Sequence, residues 1–519
     1  MNEIRKIKQE ICNRRFIKMA VIVFLIGMIT SFPYLADTIW NHDALANAYT
    51  DFDWLLEQGK WFVTPIAALK GAYDLPYLGN ILGIVFLTVA VALITRMLDV
   101  KEQWRQYVIA VLFVTFPSIS AFMIYHCADY FGFSILLAVA AAYFAEKKGI
   151  LCYIISVICL TFSMGAYQAY IGMAASLMLI ILMQELSQDK AENKDIILRG
   201  FRFLSILLIS CILYYVILQT RLRMTGTVLS GYKNVSDMDA ILNPAVLLAS
   251  VKVAYKDTWK FFLKDILSGN SGVLRIAYRG TVICYLAAIG ITMWKKIREK
   301  KVLQSILALI ISIVLLPLAL NAIGVLSNNA TFYYISVYSL VLFPVAAFVY
   351  AGNHLEKCDF LRKIILGITT ICVLLCSGQW IINNNTAHQK LVYCNQQIES
   401  KAQILITQIQ SCPGYVEGMK VVLAGEPPYS YFSPEGVAMD MENYLTNTMG
   451  TRNAMDLLYG ADRLQNYLVN YISPHMQFVK KEGLSQEIND VIWNMPVYPT
   501  DGSIQIVEDT VCVKLGYSY

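Results

Sequence analysis

The sequence predicts a membrane protein: an all-α bundle of about eleven transmembrane helices followed by a small C-terminal α/β domain. Hydrophobic residues make up 57% of the 519 residues and charged residues only 15%, which is too little charge to cover a soluble fold of this length. Apolar runs that approach the length of a bilayer span recur up to residue 382. From residue 383 onward the polarity is mixed, which favours a soluble domain over 383–519.

The predicted bundle covers residues 19–382 and contains two long outer loops, 37–76 and 219–280. A helix needs about 20 apolar residues to cross a bilayer, and somewhat fewer where neighbouring helices cover its ends. The candidate spans are residues 19–36, 77–95, 107–123, 130–145, 151–162, 166–183, 203–218, 281–294, 302–320, 332–350 and 364–382. The second outer loop also contains a helix-like run, 244–263.

The distribution of basic residues predicts the orientation of the bundle. Lysine and arginine follow every even-numbered span, whereas the short odd-numbered connections near 125–129, 164–165 and 321–329 contain neither. The positive-inside rule therefore places the N-terminus in the cytoplasm and the C-terminal domain on the extracytoplasmic side. Residues 1–18 carry Ile4, Ile7 and Ile11 at helical spacing among basic residues, which is typical of an amphipathic segment on the cytoplasmic surface.

Composition also bounds the class of partner. The net charge of +5 comes from basic clusters between apolar runs, which is a signature of membrane topology, and we expect a lipid bilayer and no nucleic acid as partners. Most of the twelve cysteines lie inside apolar runs and are expected to behave as small hydrophobic residues. The sequence has no C-x-x-C pattern, so a zinc site is not expected.

The C-terminal region shows the patterns of a small α/β domain. Residues 387–410, 453–472 and 484–495 have helical periodicity, and 420–424 is a run typical of a buried strand. The end of the chain, 503–507 and 510–515, alternates like a β-hairpin.

The first outer loop carries acidic and aromatic residues next to the membrane. A carboxylate in a partly dehydrated site acts as a general base when it comes within hydrogen-bond reach of the proton it removes. Asp37 abuts the first span itself, Asp43 comes next, and Asp51 and Asp53 follow two to three helical turns later. The simpler alternative is that Asp43, with its neighbour, caps a loop helix. The positioning candidates in this loop are His42, Asp51, Asp53 and Trp61. The D-x-D pattern at 51–53 often binds a divalent metal in nucleotide-sugar enzymes, but nucleotide sugars are absent outside the cell, so metal dependence stays open.

Two further connections place polar residues at the same level. Tyr125, His126 and Asp129 lie between the third and fourth spans, and Tyr167 and Gln168 lie between the fifth and sixth. Ionisable groups at membrane depth are costly and usually face a cavity. The alternatives are an interfacial turn with aromatic residues for the first group and a helix–helix hydrogen bond for the second.

Outward cations close to the lipid boundary would suit the phosphate of a lipid-linked substrate. Lys60, Arg221 and Arg223 occupy such positions, and arginine grips phosphate with two hydrogen bonds. Snorkelling towards lipid headgroups is the alternative for the two arginines. Together these residues predict an enzyme whose active site lies at the lipid–water boundary.

Three stretches carry a family pattern. The first is Trp54-Leu-Leu-Glu-Gln-Gly-Lys-Trp61 leading to residues 73–78, the second combines Asp129-Tyr130 with Gly165-Ala-Tyr-Gln168, and the third is Val497-Tyr-Pro-Thr-Asp-Gly-Ser-Ile504 closing on 511–515. With these motifs, the chain resembles the bacterial GtrII-type glucosyltransferases, multi-span enzymes of the GT-C class. Lys60 stands where relatives tend to have arginine, a departure that weakens the expectation of a bidentate phosphate contact.

The resemblance implies transfer of a hexose, commonly glucose, from a polyprenyl-phosphate carrier to a cell-surface polysaccharide or glycan acceptor outside the bacterial cytoplasmic membrane. It also implies a catalytic acidic residue in the first outer loop, which we assign to Asp43 by position, and a single inverting step. No cofactor is assigned with certainty, and a divalent metal stays an open alternative. A flippase or transporter of lipid-linked glycans is the alternative class, although internal repeats and mid-span charges expected of it are missing. A polymerase of lipid-linked glycans is a closer alternative.

Overall fold

The structure is a computed structural model. It describes residues 13–41, 52–68, 70–71, 73–187, 192–230, 243–264, 271–327, 332–353, 359–426, 435–445, 461–480 and 483–517. The segments predicted to hold His42, Asp43 and Asp51, and most of the amphipathic segment 1–18, lie outside these described residues.

Helices dominate the described part of the chain. They are α1 (Arg14–Thr30), α2 (Phe32–Ala36), α3 (Phe52–Glu57), α4 (Val63–Ala68), α5 (Pro76–Met97), α6 (Gln103–Thr115), α7 (Pro117–Ile124), α8 (Ala128–Glu146), α9 (Ile150–Ala166), α10 (Ile171–Ser187), α11 (Asn193–Thr225), α12 (Pro244–Lys264), α13 (Gly272–Arg298), α14 (Val302–Leu309), α15 (Leu316–Leu320), α16 (Ala322–Leu326), α17 (Leu342–Asn353), α18 (Asp359–Gln410), α19 (Val437–Tyr444), α20 (Ala461–Tyr467) and α21 (Gln486–Asn494). Short 3₁₀ turns precede α10 and α17, and π-helical turns follow α14 and α20.

Eight helical stretches within the described residues are long and apolar enough to cross a membrane. They are Pro76–Met97, Gln103–Ile124, Ala128–Glu146, Gln168–Ser187, Asn193–Thr225, Gly272–Arg298, Val302–Leu320 and Phe360–Gln410, with shorter apolar helices at Ile150–Ala166 and Tyr338–Gly352. The prediction of a mostly helical membrane protein is confirmed, while the count of eleven spans stays a prediction.

The outer surface of the bundle is apolar, as expected of a protein solvated by lipid. On α11, Phe201, Leu208 and Ile212 are all more than half exposed. In contrast, most of α10 is buried inside the bundle. This inversion of the usual soluble pattern supports a membrane environment.

Two prolines interrupt membrane-length helices, and a tyrosine hydroxyl compensates for each. Pro117 has no N–H to donate to the carbonyl of Phe113, four residues earlier, and the buried hydroxyl of Tyr338 donates to that oxygen instead, at 2.9 Å. The same arrangement recurs at Pro317, where the Tyr255 hydroxyl donates to the carbonyl four residues earlier at 3.0 Å. Broken helices are tolerated in a membrane only when the freed backbone groups find such partners.

Small residues allow α5 and α8 to approach closely. A Cβ atom built on Gly83 would lie 2.6 Å from the backbone oxygen of Ala128, and one on Gly132 would lie 2.9 Å from the oxygen of Gly83. Backbones in membrane helices come this close only where side chains are minimal. The crossing brings the first turns of α5 and α8 together, and α8 also packs against α9 and α10.

The chain divides into two compact units. Among the described residues, the first comprises 13–36 and 52–384, and the second comprises 37–41 and 385–517. In the second unit, the Asn395 side-chain amide donates to the backbone oxygen of Trp40 (2.9 Å) and accepts from its N–H (2.8 Å). These two bonds attach residues 37–41, predicted as part of the first outer loop, to the second unit.

The second unit contains a small sheet, which confirms the predicted strands at the end of the chain. Strand β1 (Lys420–Ala424) lies between β2 (Gln477–Phe478) and β4 (Thr510–Lys514), parallel to both, and β3 (Ile504–Val507) pairs antiparallel with β4. Helix α21 covers this sheet through Ile488 and Ile492, which pack with Val422 and Cys512. Its N-terminus is capped by the hydroxyl of Ser485.

Candidate active site

The segment before the second predicted span folds into a small helical cap on the bundle. Helices α3 and α4 pack through Leu55, Val63 and Ala67 against Ala166 at the end of α9. The turn between them is a Schellman motif, in which Gly59 N–H donates to Leu56 O and the following N–H donates to Leu55 O. Such a motif requires a left-handed residue, and Gly59 has φ of 77°.

Gly59 is held between two neighbouring helices. The Gln168 amide donates to the backbone oxygen of Gln58 (2.7 Å) and to the Tyr214 hydroxyl (2.9 Å), and that hydroxyl donates to the backbone oxygen of Gly59 (3.1 Å). A Cβ atom at Gly59 would lie 2.6 Å from both side chains. The turn that precedes Lys60 is therefore fixed by the start of α10 and by α11 as well as by its own sequence.

This turn directs Lys60 onto an aromatic surface. The Lys60 ammonium lies 5.4 Å from the ring centre of Tyr167 and 5.9 Å from that of Phe131, within the range of cation–π attraction. It also donates to the Gln58 side-chain oxygen at 2.7 Å. A half-buried cation in this position is suited to an anionic group of a substrate.

Trp61 continues the cap into the bundle. Its ring covers Gly165, where a Cβ atom would lie 2.5 Å from the indole, and the adjacent Phe62 N–H donates to the oxygen of Gly165 at 2.8 Å. The indole Nε1 is buried and has no hydrogen-bond partner within the described ranges, and the same holds for Oε1 of Gln168. Buried polar atoms normally find partners, so these two are candidates for contact with a ligand.

Asp129 and Lys70 form a buried ion pair. The Lys70 Nζ atom lies 2.8 Å from Oδ2 of Asp129, and their side chains are only 6% and 2% exposed. The second oxygen, Oδ1, is buried without a hydrogen-bond partner in the described part of the molecule. Asp129 lies in the first turn of α8, where the helix dipole favours a negative charge.

A second pair, Asp74 and His126, lies beside the first. The His126 Nδ1 atom is 2.6 Å from Oδ2 of Asp74, which requires Nδ1 to carry the proton because an ionised carboxylate only accepts. His126 also has a positive φ of 52°, an uncommon conformation for a residue other than glycine. Both pairs connect the segment before α5 to the start of α8.

The charges of Lys60, Lys70 and Asp129 all act on the buried thiol of Cys127. Burial raises the pKa of this thiol well above its usual range, the positive charges of Lys60 and Lys70 oppose that rise, and Asp129 adds to it. Lys60 and the Lys70–Asp129 pair therefore belong to one electrostatic environment.

The structure thus brings together part of the predicted site. Lys60, Trp61, Tyr167 and Gln168 form one side of it, and His126 and Asp129 form the other. Tyr125 is half-buried beside His126, whereas Asp53 is exposed on α3. On α11, Arg221 is half-buried and Arg223 is exposed, in the turns that follow Tyr214 and Leu218. His42, Asp43 and Asp51 lie outside the described residues.

Sequence reasoning missed three polar partners, Lys70, Asp74 and Tyr214. Lys70 and Asp74 are four residues apart just before a span, and His126 and Asp129 are three apart at another span's start. The sequence signal that could have predicted these two pairs is the presence of a cation and an anion at the end of each of two spans. Tyr214 gave no such signal, because a tyrosine inside an apolar run is typical of ordinary core.

The described residues contain no group of three or more His, Cys, Asp or Glu side chains that could hold a metal ion.

These features define a polytopic membrane protein with a buried cluster of charged, amide and aromatic side chains at one end of its bundle. The chain belongs to the Glucosyl transferase GtrII family, whose model matches residues 32–345, more than half of the chain. It is a membrane glucosyltransferase, and the family implies a sugar donor and an acceptor as its substrates. No curated protein and no solved structure matches it.

Proposed function

We propose that this glucosyltransferase is a GT-C-type enzyme that takes glucose from a polyprenyl-phosphate carrier and transfers it to a cell-surface glycan outside the bacterial cytoplasmic membrane. The observation that carries the proposal is the placement of Lys60, which lies on the Tyr167 and Phe131 rings at the end of the bundle where buried polar groups converge. A cation there suits the phosphate of a donor whose lipid chain stays among apolar helices.

In the proposed reaction, Asp43 accepts the proton of an acceptor hydroxyl while that oxygen attacks the anomeric carbon of the donor. The bond between this carbon and the phosphate oxygen breaks, and polyprenyl phosphate leaves with the electron pair. Lys60, together with Arg221 or Arg223, stabilises the charge that develops on the phosphate. A single displacement of this kind inverts the anomeric configuration.

The remaining residues of the site position the sugar. His126 and Asp129 supply polar contacts on one side, and Gln168 and Trp61 supply them on the other. His42, Asp51, Asp53, Tyr125 and Tyr167 complete the proposed set. Orientation of reactants and fixed electrostatics supply most of the catalysis, as expected for a reaction without a covalent intermediate.

The decisive experiment incubates purified protein with polyprenyl-phosphate glucose and a glycan acceptor. We expect release of polyprenyl phosphate together with a glucosylated acceptor. The anomeric carbon of the transferred glucose should have the configuration opposite to that in the donor. Transport of the intact donor without release of lipid phosphate would contradict the proposal and favour a flippase.

The catalytic assignment is tested with Asp43→Asn, which removes the base while keeping the size of the side chain. We expect transfer to fall by at least about 100-fold, the usual contribution of general-base catalysis, with folded protein retained. The matched control is Asp99→Asn, which replaces an exposed carboxylate just after α5 and should leave activity unchanged. Activity of Asp43→Asn near that of the control would refute the assignment.

A further inference from the structure

The Lys70–Asp129 pair leaves one carboxylate oxygen without a partner. Lys70 holds Oδ2 of Asp129 at 2.8 Å, and Asp129 is 2% exposed. Oδ1 is buried and accepts no hydrogen bond from the described residues. A buried carboxylate oxygen is stabilised by a hydrogen-bond donor, because burial removes the oxygen from bulk water.

Three features of the bundle fix this oxygen in place. The Gly83 crossing brings the first turn of α8 against α5. Helix α5 borders the pair at Gly79, where a Cβ atom would be in ordinary van der Waals contact, at 3.7 Å, with both Oδ1 of Asp129 and Nζ of Lys70. The neighbouring pair between Asp74 and His126 ties the same loop segment to the start of α8. Oδ1 of Asp129 is therefore a preorganised hydrogen-bond acceptor.

We propose that Lys70 is a positioning residue: it holds Oδ2 of Asp129 so that Oδ1 accepts a hydrogen bond from one hydroxyl of the transferred sugar. This inference rests on the proposed function and deepens it. It defines the sugar of the donor as a neutral hexose with a free hydroxyl at the position that faces Asp129.

The alternative is that Lys70 only fastens its loop to α8. A structural role and a positioning role differ in their response to the substrate. Loss of a fastening lowers activity with every donor by the same factor, whereas loss of a hydrogen bond to one hydroxyl removes discrimination at that hydroxyl alone.

The experiment measures kcat/KM for polyprenyl-phosphate glucose and its 2-, 3-, 4- and 6-deoxy analogues. We expect the natural enzyme to use one deoxy donor about 100-fold or more less efficiently than glucose, since a site built to bind a hydroxyl rejects its absence strongly. With Asp129→Leu and with Lys70→Met, this discrimination should fall to within about threefold, and Lys70→Arg should restore it.

Folding is controlled in two ways. Lys70→Met leaves a buried carboxylate unpaired, so the double variant Lys70→Met with Asp129→Leu removes both charges and the acceptor oxygen, and keeps the test valid. Lys296→Met is the matched control, because Lys296 is also a buried lysine, 1% exposed, and donates to Gln304 at 2.9 Å. It lines a small cavity with Ser187 at the other end of α10, about 25 Å from the site at 1.5 Å rise per residue.

The outcomes separate the two proposals. If the Lys70→Met variant and the double variant both still discriminate between the glucose donor and the deoxy donors as the natural enzyme does, the positioning role is overturned. The proposal of glucosyl transfer is unaffected by that result. The absence of transfer by the natural enzyme overturns the proposed function itself. Equal discrimination in the natural enzyme and Lys296→Met, together with its loss in the Lys70 and Asp129 variants, supports the inference.

Discussion

Gly59 combines a left-handed backbone conformation with close packing against side chains from two other segments. Its φ of 77° suits glycine, and its Cα faces Gln168 and Tyr214 at distances that leave no room for a methyl group. Gly226, at the end of α11, has a similar φ of 70°, but a Cβ atom there would meet no described atom within 4 Å beyond its chain neighbours. Comparing substitutions at Gly59 and Gly226 therefore distinguishes the cost of backbone strain from the cost of steric clashes with neighbouring side chains.

We expect Gly59→Ala to lower both stability and transferase activity, because alanine would displace the Gln168 and Tyr214 side chains and turn Lys60 away from its aromatic surface. Gly226→Ala should cost only the backbone strain of about 1–2 kcal/mol. Thermal denaturation and kcat/KM of the two purified variants provide the measurement. Equal losses in both variants would show that the packing around Gly59 is unimportant.

Several residues selected from the sequence lie near one another, but their partners could not be predicted. Lys60, Trp61 and Gln168 stand at the edges of spans, and helical hairpins bring such edges to the same level. Partner choice depends on side-chain directions in the folded bundle. His126 and Asp74, for example, are 52 residues apart and meet only because α5 and α8 cross at small residues.

At the scale of elements, the α5–α8 crossing determines whether the ion pairs can form. We expect Gly83→Ala to destabilise the protein by about 1–3 kcal/mol, the usual cost of overpacking, since its Cβ would lie 2.6 Å from the Ala128 oxygen. Gly290→Ala on α13 is the control, because a Cβ atom at Gly290 would meet no described atom of another element within 4 Å. Thermal denaturation in detergent compares them, and an unchanged midpoint for Gly83→Ala would contradict the close crossing.

The sheet of the second unit depends on a buried lysine. Lys514 on β4 is 2% exposed and donates to the carbonyl oxygens of Trp493 (2.6 Å) and Met495 (2.8 Å), at the C-terminal end of α21. We expect Lys514→Met to cost about 1–3 kcal/mol, because two carbonyls lose a charged donor. Thermal denaturation followed by tryptophan fluorescence measures this, with Lys420→Met, on the exposed start of β1, as the control. Equal stability of the two variants would show that the hydrogen bonds from Lys514 to the C-terminal end of α21 do not stabilise the second unit.

Element boundaries show where sequence reasoning stops. The eleventh span and the helix predicted over 387–410 are one continuous helix, α18. Residues 383–386, which separate the two predicted elements, are polar, but an α-helix needs no apolar residues to continue when polar side chains find partners. The Asn384 amide donates to the Thr115 oxygen at 2.9 Å, which gives this amide a partner inside the bundle.

At the scale of the whole molecule, composition and hydropathy were sufficient for the class of protein, because the lack of charge and the length of apolar runs are properties of the entire chain. The division into two units was less accessible. Residues 37–41 join the second unit through Trp40 and Asn395, a contact between positions 355 residues apart. Pairing over such a distance leaves no local signal.

The orientation of the molecule rests on the charge pattern alone, and cysteine labelling tests it. In a background whose native cysteines are replaced, Val416→Cys, at a 62% exposed position in the second unit, and Lys148→Cys, at an exposed position between α8 and α9, are treated with a membrane-impermeant maleimide in intact cells. The basic connection at Lys147 and Lys148 is predicted to be cytoplasmic. We therefore expect Val416→Cys to react at once and Lys148→Cys only after permeabilisation. The reverse pattern would place the proposed reaction on the side of the membrane where nucleotide sugars are available, and the case for a lipid-linked donor would fail with it.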